Sequence, residues 1–216
     1  MDLTPFAEDV QRRLVAKMSA REKAFAASRR TVRSSANAIR AIHRREFDEA
    51  HRLMADAEQA LDDGRDAVRT DHPDVFHGGF LQDAEKEFAE SKLTEALVTG
   101  SDLPGPEDVG VDLAPYLNGM AEAIGEGRRA ILDLLRQGQL ADAERILRGM
   151  DDMHHLLASI DFPDAMTGNL RRSTDAARAI IERTRGDLTV TLVQSGLRDA
   201  LERHGEALRE PGHTAD

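Results

Sequence analysis

The sequence encodes an all-α protein, and three features say so. Ala, Leu, Arg and Glu abound while Val, Ile and Thr are sparse, which is helix-forming composition. Apolar residues recur with helical period along nearly the whole chain, and no segment alternates convincingly as a strand. Clusters of Gly, Pro and Asp interrupt that period and mark out about seven antiparallel helices. The 216 residues suffice for one domain or at most two small ones. The reading adopted is a single helical domain over 1–208, with a disordered tail over 209–216.

The first helix is expected to start near Thr4, as its cap, with Pro5 at the first helical position, and to run to about Arg45. The second covers about Glu46–Val68 and ends before the polar stretch RTDHPD. The third starts after Pro73 and reaches about Val98. A breaker-rich loop follows, Thr99 to Gly110. The fourth spans about Val111–Arg136 and stops at Gln137-Gly138; the fifth covers about Leu140–Leu157. After the turn at Asp161-Phe162-Pro163, a sixth runs from Asp164 to about Arg185. The last covers about Leu188–Leu208, where TVTLV (189–193) also reads as a short strand. Segments 45–61 and 138–152 resemble each other in the manner of tetratricopeptide helix pairs, but no third copy exists and the spacing is not the expected period.

Cysteine is absent, so disulfides, thiolate nucleophiles and Cys-based zinc sites are excluded. No apolar run reaches the length of a membrane span, and the N-terminus lacks the apolar stretch of a signal peptide. A soluble cytoplasmic protein with no membrane partner is the expectation. No Gly-rich phosphate loop of the dinucleotide or Walker type occurs, which argues against a nucleotide cofactor. The net charge is -11, but residues 10–45 hold eleven Lys/Arg against Glu22 alone, so that segment is +10 and the remainder -21. The acidic average conceals a basic arm.

The carboxylates carry the chemical signal. On the third helix Glu87 lies seven residues after Phe80 and eleven before Val98, and Glu90 lies seven before Leu97. At 100° per residue both neighbour each other on a stripe that also holds large apolar side chains, while Glu85 and Glu95 lie elsewhere. A charge on such a stripe is costly to bury unless paired or metal-bound. On the fourth helix the apolar seam is Leu113, Leu117, Met120, Ile124, Ile131 and Leu135; Glu122 and Glu126, four apart, face away from it. Four carboxylates on two helices could hold a hard cation such as magnesium, which activates water and offsets charge on a phosphodiester. The plainer reading is solvated surface, since Glu is a good helix former.

The stretch Tyr116-Leu117-Asn118-Gly119-Met120-Ala121-Glu122-Ala123-Ile124-Gly125-Glu126 resembles, without a gap, the YLxGxA(D/E)xxGE motif of translin-associated factor X (TRAX). Val111-Asp112-Leu113 resembles the lead-in of translin. Glu87-Phe88-Ala89-Glu90 is similar to the family's EFxEA motif, with Ser91 in place of Ala. Arg21-Glu22-Lys23, Ser28-Arg29-Arg30 and Ile42-His43-Arg44 resemble its first helix, and order and spacing agree over roughly 20–190. The resemblance implies an all-α translin-type fold, assembly into a closed oligomeric barrel (a hexamer or octamer), and binding of RNA or single-stranded DNA inside it. It further implies RNA cleavage with Mg (or Mn) held by acids that fall here on Glu87, Glu90, Glu122 and Glu126. Glu122 stands where TRAX carries Asp, and non-catalytic translin lacks part of the set. Pro115 replaces a Gly of translin's lead-in, and the aromatic-rich patches of the eukaryotic proteins are absent.

With that resemblance in place, Arg21, Lys23, Arg29, Arg30, Arg33, Arg40 and Arg44 are the expected nucleic-acid contacts, neutralising phosphates without reading sequence. The arm shows no aromatic interleaving for base stacking. The eight histidines show no metal-ligand spacing and are assigned to surface or core. The function expected is a magnesium-dependent endoribonuclease. Two alternatives stand beside it: a translin-like binder that does not cut, and a helical scaffold for protein partners.

Overall fold

The computed structural model describes residues 1–209, and side chains through residue 206. Among these residues it is all-helical, with nine helices and no strand: α1 (Thr4–His43), α2 (Phe47–Asp66), α3 (Pro73–Phe76), α4 (Phe80–Thr99), α5 (Pro106–Val109), α6 (Leu113–Arg136), α7 (Leu140–Ala158), α8 (Asp164–Thr167) and α9 (Leu170–Arg209). The tail expected at 209–216 lies, beyond Arg209, outside the described residues. None of the described helices is long and apolar enough to cross a membrane.

The six long helices fall into two groups of three. α1, α2 and α4 pack together, as do α6, α7 and α9, and the close packing of α4 on α6 joins the groups. Each group contains a hairpin reversed by one residue at positive φ, Arg45 (62°) before α2 and Gly138 (73°) before α7. The likeness between 45–61 and 138–152 therefore reflects two hairpins with the same local grammar. One continuous apolar core, including Ile42, Met54, Leu61, Phe88, Leu93, Ile124, Ile131, Ile146 and Met150, runs through both groups. Arg145 on α7 donates to the last carbonyls of α4, Leu97 (3.1 Å) and Val98 (2.9 Å), and so fixes that helix end across the seam.

Five expectations change. Thr4 is the first helical residue, the N-cap is Leu3, and Asp2 before it accepts from the Thr4 N–H at 3.0 Å. The helix expected after Pro73 is broken at Gly79, whose φ of 90° suits glycine, leaving the single turn α3 before α4. The 99–110 loop contains the turn α5, begun where Asp108 accepts from the Gly105 N–H. Leu113, expected in the apolar seam, is 67% exposed. Most clearly, the sixth and seventh helices do not divide at 185–188. Gly168 (φ 61°) and Asn169 (φ 64°) break the chain instead, and α9 continues through Gly186 to Arg209.

Packing explains α9. A glycine inside a helix costs about 1 kcal/mol relative to Ala. Against that, Leu188 is buried, Arg185 holds Asp151 of α7 at 2.7 Å, and Asp187 holds Arg128 of α6 at 2.8 Å. The supposed strand is helical, and within it Thr189 and Thr191 satisfy their hydroxyls locally, donating to the carbonyls of Arg185 and Asp187. The outer ends of the two 40-residue helices rise clear of the core. They expose Phe6, Leu14 and Met18 on α1, and Val190, Val193, Leu197 and Leu201 on α9.

Candidate functional site

The α4–α6 seam is tight because of one residue. A Cβ on Gly119 would stand 2.7 Å from the Lys86 carbonyl and 3.0 Å from the Glu90 nitrogen, both backbone atoms of α4. Only glycine permits this approach, and the approach brings carboxylates of two helices together. Asn118 anchors the same stretch of α6: it donates to Ala114 O (2.9 Å) and Thr167 O (2.7 Å), and accepts from Ser173 (2.8 Å).

One carboxylate oxygen each of Glu87, Glu90 and Glu122 lies within 4.8 Å of the others. Glu87 is half-buried, Glu90 is 8% exposed, and Glu122 faces solvent. Glu90 has no hydrogen-bond or ion-pair partner among the described residues. Burial, then the charges of Glu122, Glu87 and Glu126, push its carboxyl up from 4.5 to about 8, with Lys86 opposing. The fourth acid sits apart from this triad. Glu126 accepts from His43 at 2.5 Å and lies 3.8 Å from Arg129. The hydrogen bond from His43 holds its carboxyl below the usual range despite partial burial, so the imidazole donates from Nε2 to an ionised acceptor.

Two groups at this site were not foreseen from the sequence. The His43 side chain is only 4% exposed and joins α1 to the carboxylates; its place in the Ile42-His43-Arg44 element was the available sign. Lys86 places its ammonium 2.7 Å from Glu122 and 3.4 Å from Glu87. Burial opposes its charge, but the hydrogen bond and charge of Glu122, aided by Glu87, hold its pKa above the ordinary value. Nothing in its spacing distinguishes it from a surface lysine.

The basic residues of α1 divide by surroundings. Arg29, Arg33 and Arg40 line a groove of about 530 Å³ together with Phe25, Phe80 and Asp83. Phe25 stacks on Phe80 at 4.9 Å between centroids, with the guanidinium groups of Arg21 (5.0 Å) and Arg29 (5.6 Å) over its ring. An aromatic does therefore interleave the arm, contrary to the sequence reading, although Phe25 is half-buried. Lys23 is exposed. Arg30 is engaged with Asp56, and Arg44 holds Glu46 at 2.6 Å. The groove leads toward the acids: Glu87 is one helical turn beyond Asp83 on α4, and His43 follows Arg40 by three residues on α1.

The donor set is carboxylate oxygen throughout, which suits a hard divalent cation rather than a soft one. The buried, unpartnered Glu90 gives the independent sign that a positive charge fits there.

No protein-family model matches the chain. An uncharacterised protein of Methanocaldococcus jannaschii is 29% identical over 195 residues, covering 88% of this chain and 84% of that protein. Among solved structures, AfC3PO in a complex with duplex RNA and AfC3PO alone each match with TM-score 0.77 and 30% identity, over 87% of this chain and 97% of theirs. The apo form of NeC3PO matches with TM-score 0.71 at 18% identity, over 88% and 97%, a likeness of fold. With an archaeal C3PO matched at 30% identity over 97% of its length, the chain belongs to the translin/TRAX family.

Proposed function

We propose that the protein is an RNA-binding endoribonuclease whose phosphodiester hydrolysis depends on Mg (or Mn). The observation that carries the reading is the convergence of Glu87, Glu90 and Glu122 from two helices, around a buried carboxyl with no partner. A cation held there would supply activation of water and neutralisation of charge on the phosphate. The remaining work falls to the chain itself. Glu87, Glu90 and Glu122 would hold the cation. Glu126, fixed by His43, completes the anionic wall on α6. Arg21, Arg29, Arg33 and Arg40 draw the sugar–phosphate backbone along the groove toward that wall. Lys23, Arg30 and Arg44 extend the positive field on the outer faces of α1, the latter two while engaged with carboxylates. AfC3PO, solved with duplex RNA, supports an RNA ligand for this chain, and single-stranded DNA offers the same phosphates.

We further infer a closed homo-oligomer, a hexamer or octamer. The exposed apolar stripes at the outer ends of α1 and α9 support it, since such surface is costly on a monomer. Light scattering at micromolar concentration should give a mass several times 23.8 kDa; a monomer would refute a closed assembly.

The test of the activity is incubation of purified protein with labelled single-stranded RNA in magnesium, in manganese and in chelator. Cleavage is expected with either metal and none in chelator. Glu90→Ala and Glu126→Ala should each abolish cleavage while leaving RNA affinity and particle size largely intact. Cutting at the wild-type rate by both variants would exclude the carboxylate site. Metal-independent binding without any cleavage would instead favour a translin-like binder. Binding insensitive to salt would favour a protein scaffold.

A further inference from the structure

The four acids are not equally served by positive charge. Glu126 has His43 and Arg129, Glu87 and Glu122 share Lys86, and Glu90 has no partner of its own. Lys86 thus already stands where two of the three clustered carboxylates point. Its side chain is 24% exposed, so the ammonium has a way out to solvent. It is also carried by a flexible four-carbon stem with three rotatable donors, and can leave without moving α4. The α4 backbone around it is held close to α6 at Gly119, so the amine can move without moving the helices that carry the carboxylates.

We propose that Lys86 is a displaceable counter-ion of this site, an inference that rests on the metal-dependent reading above. In the metal-free protein its ammonium bridges Glu122 and Glu87 and tempers repulsion within the triad. A divalent cation can use those oxygens only as the ammonium withdraws. Two consequences follow. The affinity of the wild type for divalent cations is lower than the triad alone would give, because the incoming cation meets a positive charge and must release an existing ion pair. The metal-free protein, in turn, depends on Lys86 for stability, and a bound cation takes over that dependence.

The test uses the full chain, freed of metal with EDTA and then of EDTA, at a pH above 8 so that Glu90 ionises readily. Magnesium is titrated calorimetrically into wild type, Lys86→Met, Lys86→Gln and Lys86→Arg, with no RNA present. Lys86→Met and Lys86→Gln should bind magnesium about tenfold more tightly, or better, the scale of one unit charge a few ångströms away and partly screened by water. Lys86→Arg should bind like the wild type. Without metal the two neutral variants should melt lower than wild type, and magnesium should raise their melting temperature by more than it raises the wild type's. Circular dichroism in chelator checks that each is folded. Equal or weaker magnesium binding by both neutral variants overturns the role of Lys86, and leaves the metal site standing if the wild type binds. No binding by wild type or variants overturns both.

Discussion

Between pH 4.5 and about 8, Glu90 is ionised in the unfolded chain but stays protonated in the metal-free folded protein. A raised carboxyl pKa means the unfolded state binds fewer protons than the native one across this window, so stability falls as pH rises through it and levels off above pH 8. Glu126 works in the other direction: its folded pKa is lowered by His43, so its contribution is present near neutrality and is lost in acid. The two windows barely overlap, which lets them be separated. Glu90→Gln removes the penalty while keeping shape. In chelator it should match the wild type near about pH 5 and exceed it by about 2–4 kcal/mol near about pH 9. Urea unfolding at both values measures this, and equal slopes with pH for the two proteins would show that Glu90 is not held protonated by burial and the charges of Glu122, Glu87 and Glu126.

At the scale of elements, the meeting of α4 and α6 decides whether there is a site at all. Gly119→Ala would push a methyl group into the backbone of α4 at Lys86 and Glu90, atoms that cannot rotate away. Overpacking of this kind costs about 1–3 kcal/mol, with separation of the helices as the relief. The expected outcome is a lower melting temperature together with magnesium affinity reduced at least tenfold. Unchanged stability and metal binding in the Gly119→Ala variant would show that the helices have slack the structure does not suggest. Much of this pairing was legible beforehand. Glu87 and Glu90 fall among apolar residues by spacing alone, and Gly119 stands inside the motif shared with the family. What spacing cannot convey is which side chains meet from distant parts of the chain. His43 reaches Glu126 across 83 positions and Lys86 reaches Glu122 across 36. The division expected between Arg185 and Leu188 is absent for the related reason that long-range ion pairs and the burial of Leu188 outweigh Gly186, a local helix breaker.

For the whole molecule, the charge is sorted by face. The chain is acidic overall, yet Arg21, Arg29, Arg33 and Arg40 gather beside one groove, while Arg30 and Arg44 are engaged with carboxylates elsewhere. Replacing Arg29, Arg33 and Arg40 together with Ala should weaken RNA binding and flatten its dependence on salt by about three phosphate contacts. Replacing Arg30 and Arg44 should do less, and should lower stability slightly through Asp56 and Glu46. Filter binding over a salt series distinguishes the two sets; identical slopes for both would place the nucleic acid on another face.

The seam between the two helical groups also bears on when the protein becomes complete. The connection from Gly100 to Asp112 divides the chain so that Glu87 and Glu90 are made with the first group and Glu122 and Glu126 with the second. A nascent chain leaving the ribosome therefore carries its basic arm and two of these four acids well before the other two exist. Until α6 emerges and docks through Gly119, the carboxylate set is incomplete, so the cation site proposed above cannot form on a partial chain.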